Sequence, residues 1–96
     1  MTPAFTSDWF SKAIPHWEAH VVPRLAGVED ARWLEVGSYE GRSALWAREH
    51  VLTGKGSVVA CLDVWHPEYE TSFDANTAGV MGIIKWRGSA LSLIHI

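Results

Sequence analysis

Apolar positions along the chain gather into three short runs: Trp33-Leu34 with Val36, Val58-Val59-Ala60-Cys61-Leu62, and Ile83-Ile84 with Trp86. Runs of this length, bounded by Gly and Asp, read as strands buried in a parallel sheet. They predict strands over Arg32–Val36, over Val58–Leu62 ending on Asp63, and over Gly82–Trp86. Between the first two, Ala44, Leu45, Val51 and Leu52 share one face of a helix from Gly41 to Leu52, leaving Arg42, Glu49 and His50 to solvent. Thr53-Gly54-Lys55-Gly56 stops that helix and reads as a plain loop. Between the second and third strands, Trp65 to Glu70 reads as a polar, mobile loop, followed by a short helix over Phe73–Ala78 with Phe73 anchored in the core. Ahead of the first strand, Thr2 to Phe5 reads as loose, Ser7 as the N-cap of a helix over Asp8–Ala13, and Ile14-Pro15 as a break. A second helix follows from Pro15 to Leu25, with a kink or early end at Pro23 and Gly27 as its stop. Strand, helix, strand, helix, strand with right-handed crossovers is an α/β fold behind an N-terminal helical cap.

Ninety-six residues make one domain at most. A net charge of −3 gives no electrostatic footprint for nucleic acid or an anionic membrane. No run is long enough to span a bilayer. A single cysteine excludes an intrachain disulfide, and with no basic, apolar leader the expected setting is cytoplasmic. Cys61, inside a strand, is expected to be an inert buried thiol. His16 and His20 stand four apart on one helix face, but no further ligands complete a metal site. Six Trp are many for this length, and packing is the expected role of most.

The candidate chemistry sits after the first strand, in Glu35-Val36-Gly37-Ser38-Tyr39-Glu40-Gly41-Arg42-Ser43. Gly37 and Gly41 permit a sharp turn and a close approach to the backbone, and the helix that follows presents free N–H groups. Glu35 at the strand end disfavours phosphate and suits a cationic or amino group. Ser43 in the first helical turn is placed for a ligand carboxylate. Asp63 lies about twenty residues beyond the turn, where nucleotide-binding folds carry an acid for the ribose hydroxyls. Gly54-Lys55-Gly56-Ser57 is no phosphate loop, because His50 stands where that motif needs glycine.

Glu-x-Gly-x-x-x-Gly resembles the first motif of class I S-adenosylmethionine-dependent methyltransferases. Gly37-x-Tyr39-x-Gly41-x-Ser43 is similar to the catechol O-methyltransferase-like branch, as are Asp8-Trp9-Phe10-Ser11 with Ile14-Pro15-x-Trp17 in the cap. Phe73-Asp74-x-Asn76 also recurs in such proteins, with no chemistry to attach to it. The resemblance covers nearly all of residues 5 to 90. It implies the first half of a doubly wound, Rossmann-like parallel sheet with strand order 3-2-1. It also implies an S-adenosylmethionine site made of Glu35, Gly37, Ser38, Tyr39, Gly41, Ser43, Asp63, Val64 and Ser89, with Val64 and Trp65 over the adenine face and Gly88 and Ser89 at its edge. The implied reaction is O-methylation of a small molecule, with any base or metal ligand for the acceptor on later strands. A nicotinamide-dependent oxidoreductase is the alternative enzyme, although Tyr39 stands at its middle glycine. A cofactor-binding half without activity is the third reading. Residues 91–96, Leu-Ser-Leu-Ile-His-Ile, read as a translated library adapter and not as native sequence. On that reading 1–90 is part of a longer domain, inactive alone; the alternative is the apolar start of another helix.

Overall fold

The structure is a computed structural model that describes residues 3–89. The expected adapter tail lies outside the described residues. A three-stranded, all-parallel sheet runs in the order β1-β2-β3: β1 is Arg32–Val36, β2 Val58–Asp63 and β3 Ile83–Arg87. Rows across the sheet pair Leu34 with Ala60 with Ile84, and Val36 with Leu62 with Trp86.

Among the described residues four helices accompany the sheet: α1 (Ile14–His20), α2 (Val22–Leu25), α3 (Arg42–His50) and α4 (Pro67–Thr77). The core joins Ala44, Ala47, Val51 and Leu52, from α3 and its end, to Val59 and Cys61 of β2, to Trp65 and to Phe73 of α4. Trp17, Val21, Val22, Leu25 and Trp33 pack around that cluster, so the helices share one face of the sheet. The opposite face is open. Leu34, Val36, Ile84 and Trp86 stand on it between 38% and 51% exposed.

Several local expectations are corrected. Asp8–Ala13 forms no helix, and Ser7 caps nothing. Residues 11–13 form a turn in which the Asp8 carboxylate accepts from Ser11 N and Ser11 Oγ, a side-chain alternative to a helical ladder. The helix expected over Pro15–Leu25, with a kink or early end at Pro23, starts at Ile14 and is interrupted at Val21, because Pro23 has no N–H to continue the ladder. Of the loop expected over Trp65–Glu70, residues 67–70 are the start of α4. Proline in the first helical turn, with Glu68 and Glu70 beside it, favours a helix start despite the polarity of the stretch. The Gly54 to Gly56 segment is more than a plain loop: Gly54 is buried against the backbone of Val28.

Candidate functional site

The carboxyl ends of β1 and β2 lie side by side, and the turn Gly37–Gly41 rises between them into α3. The turn runs through left-handed backbone at Gly37 (φ 77°), Tyr39 (φ 48°) and Gly41 (φ 88°). At Gly37 a Cβ would meet only the Tyr39 ring, at 3.6 Å, so the turn is open to a ligand on that side. At Gly41 a Cβ would press on Phe73 Cδ2 at 3.1 Å, so this glycine serves the packing of α3 on α4.

Glu35 points to the helix-covered face, beneath the start of α3. Its Oε2 accepts a 2.7 Å hydrogen bond from Ser43 Oγ, while Oε1 is buried with no hydrogen-bond partner among the described residues. Burial pushes the carboxyl pKa above its ordinary value, opposed by Ser43 and Ser38 and reinforced by the Asp63 charge. Ser43, 3% exposed, therefore holds Glu35 and does not present its hydroxyl to a ligand carboxylate as the sequence suggested. Ser38 Oγ is fully enclosed near Glu35 and Cys61. It lies close enough to lower both pKa values, yet outside good hydrogen-bonding geometry with either. Burial nonetheless carries the Cys61 thiol up to about 12, which leaves it inert at neutral pH.

Asp63 closes the other side. Its Oδ2 accepts from Tyr39 N at 3.1 Å and its Oδ1 from Trp65 N at 3.0 Å, so it ties the glycine turn to the loop after β2. Each oxygen keeps acceptor capacity for a further donor. Val64 beside it is exposed, and Ser89 is exposed past the end of β3. Trp65 is not the adenine wall that the resemblance implies. It is 3% exposed, packs on Phe73 and donates its indole N–H to Trp86 O at 2.8 Å.

Two cavities flank the turn. One, of about 390 Å³, is lined by Glu35, Val36, Gly37 and Ser43 with Trp9, Phe10, Trp17 and Trp33. The other, of about 370 Å³, is formed by Ser7, Trp9, Tyr39 and Tyr69. Sequence reasoning missed Tyr69 and the part of Trp9, for which only the density of aromatic residues gave a signal. It singled out Asn76 but gave it no role, and the structure bonds its amide to Ala4 N, Ala4 O and Glu40 O. Among the described residues no three His, Cys, Asp or Glu side chains gather into a metal site. His16 and His20 stack at 6.3 Å without further ligands.

A raised Glu35 pKa means that the folded chain binds a proton more tightly than the unfolded chain. This contribution therefore favours the fold at low pH and is lost as pH rises from the ordinary carboxylate range through the raised value. Glu35→Gln keeps an acceptor for Ser43 and removes the buried charge. The variant is expected to melt a few degrees higher at pH 7 and to differ little from the parent in acid, as followed by circular dichroism.

Comparison with family models, curated proteins and solved structures finds no match to this chain. No helix among the described residues is long and apolar enough to cross a membrane.

Proposed function

We propose that the chain carries the S-adenosylmethionine-binding half of a methyltransferase domain, built on a doubly wound, Rossmann-like sheet and acting on a hydroxyl of a small molecule in the cytoplasm. The observation that carries this reading is the orphaned, buried Oε1 of Glu35. Glu35 and Gly37 line one cavity together, and the Asp63 carboxylate stands at the end of the neighbouring strand. A half-satisfied buried carboxylate is costly unless a ligand donor completes it. The amino group of the methionine moiety is such a donor, and two ribose hydroxyls suit the remaining acceptor capacity of Asp63.

In this reading Glu35 takes the amino end, with Ser43 and Ser38 behind it. Gly37 and the Ser38–Tyr39 backbone line the approach, Gly41 sets the turn, and Asp63 takes the ribose. Val64 and Ser89 flank the base. The cofactor supplies an activated methyl group, and the chain's own residues contribute alignment. The acceptor and any group that activates it remain outside this site. A purely binding role for the chain rests on the same residues.

Titration with S-adenosylhomocysteine in a calorimeter tests the reading, with NAD as competitor. Asp63→Ala is expected to lose about 1.5–3 kcal/mol of binding, the range for hydrogen bonds to a charged group. Asp63→Asn, which keeps one acceptor for the turn, separates ribose contacts from collapse of the turn. Unchanged affinity in both variants, or displacement by NAD at equal concentration, overturns the assignment.

Gly37→Val is expected to weaken S-adenosylhomocysteine more than Arg42→Ala does. The branched side chain meets left-handed backbone, worth about 1–3 kcal/mol of strain, and fills the open side of the turn. Arg42 points away to Asp8 and Ser11. Equal losses in the same titration count against a glycine-dependent site.

A further inference from the structure

Trp9 lines both cavities beside the glycine turn, yet it belongs to neither the sheet nor a helix. Its ring stands 6.3 Å from Tyr39 and 6.0 Å from Phe10, and it is 53% exposed. Among the described residues, residues 4 to 9 make no backbone-to-backbone hydrogen bond. Side chains of other elements hold this segment instead. Asn76 on α4 accepts from Ala4 N and donates to Ala4 O, both at 2.9 Å, and also donates to Glu40 O at 3.0 Å. Glu40 Oε1 accepts from Thr6 N and Thr6 Oγ1, both at 2.9 Å. Arg42 pairs with Asp8, donates to Ser11 Oγ and lies over the Phe5 ring. Phe10, 1% exposed against Trp17 and Trp46, is the far anchor.

Glu40 and Asn76 are themselves buried and line neither cavity. A buried carboxylate and a buried carboxamide are expensive to keep, and here four of the five hydrogen bonds that the two side chains make go to one segment. Glu40 also immediately precedes Gly41 in the turn, so the same backbone that shapes the candidate site grips the segment.

From this we infer that Glu40 and Asn76 are positioning residues: they clasp residues 4–11 as a strap and so fix Trp9 as the shared wall of the two cavities. Ligand affinity at the glycine turn then depends on two side chains that touch no ligand. The ligand part of this inference rests on the function proposed above, whereas the clasp does not.

The test follows three signals on the full chain at low micromolar concentration: amide hydrogen exchange of residues 4–11, the indole N–H resonance of Trp9, and S-adenosylhomocysteine affinity. Asn76→Ala and Glu40→Ala should each speed exchange at Ala4 and Thr6 by roughly tenfold and move the Trp9 resonance, with β2 amides unchanged. Glu40→Gln, whose amide oxygen still accepts from Thr6, should behave as the parent in all three. Asn76→Ala and Trp9→Ala should weaken S-adenosylhomocysteine by roughly fivefold or more. If Asn76→Ala does not fold, the Glu40→Ala and Glu40→Gln pair carries the comparison. Unchanged exchange and an unmoved Trp9 resonance in the Ala variants overturn the clasp. Unchanged affinity in Trp9→Ala, with the parent binding, overturns the wall. A parent chain that binds no S-adenosylhomocysteine overturns the proposed function instead, and exchange and resonance still decide the clasp.

Discussion

At about 50 µM the 96-residue chain will sediment above its monomer mass, and the double variant Leu34→Lys, Trp86→Lys will sediment as a monomer. All-parallel sheets are stable when both faces are covered, and here the helices cover one. On the open face Leu34, Val36, Ile84 and Trp86 retain 47%, 51%, 38% and 47% of their exposure. Completing the burial of four such side chains is worth about 3–6 kcal/mol per copy, at roughly half the value of a full burial each. Two copies together gain about 6–12 kcal/mol, and the upper end of that gain set against the lower end of the association cost, about 4 kcal/mol, leaves the roughly 8 kcal/mol of a micromolar, reversible contact. β1 adds an edge that pairs with nothing among the described residues, which presents a template for further copies. The two lysines replace side chains that already face solvent, so the melting temperature should change little. A parent chain that is monomeric by sedimentation velocity overturns the expectation. Turnover is expected to be absent in the same samples, since among the described residues no strand lies beside the free edge of β1.

The second large effect is on stability. Gly54→Ala should cost about 3 kcal/mol, at the upper end of the overpacking range, and Lys55→Ala next to it almost nothing. A Cβ on Gly54 would fall inside contact distance of the Val28 carbonyl carbon and oxygen and of Glu29 N. These are backbone atoms, which cannot rotate away as a side chain can. Their place is further fixed by Ser57, whose hydroxyl donates to Val28 O at 3.0 Å and accepts from Ala31 N at 3.0 Å. Urea unfolding of the two variants checks this, and a Gly54→Ala midpoint equal to that of the parent would remove the argument.

The strands were legible because each is a short apolar run with a hard boundary. Arg32–Val36 agrees to the residue, β2 runs one residue further to Asp63, and β3 is shifted by one residue at both ends. The first part of α4 was not legible, since Glu68, Tyr69 and Glu70 look like a loop until Lys85 and Arg87 of β3 are seen to pair with Glu70. That contact is tertiary, and no local pattern announces it. Asp8 misled in the opposite direction: a residue that opens helices elsewhere closes a small turn here and ties to Arg42. At the candidate site, sequence indicated which residues meet, because Glu35, Gly37, Gly41 and Asp63 follow from strand ends and a turn. It could not indicate what each hydroxyl does. Ser43 reaches back eight residues to Glu35, a geometry that exists only once the turn is folded. Trp65 lacked any signal, for its burial depends on a left-handed backbone at φ 61° that swings the indole under β3.

The grip of Asn76 on Ala4 spans 72 residues of sequence, which sets an order on synthesis. At about 5–20 residues per second, the ribosome finishes Asn76 roughly 4–14 s after Ala4. Through that interval the Ala4 end of the strap has nothing to fasten to, although Glu40, Arg42 and Trp46 are made sooner for Thr6, Asp8 and Phe10, and Trp9 trails from the nascent chain as exposed aromatic surface. The first of the described residues to leave the ribosome are thus among the last to be secured. In the cell, the interval offers a holding chaperone a ready handle on the growing chain.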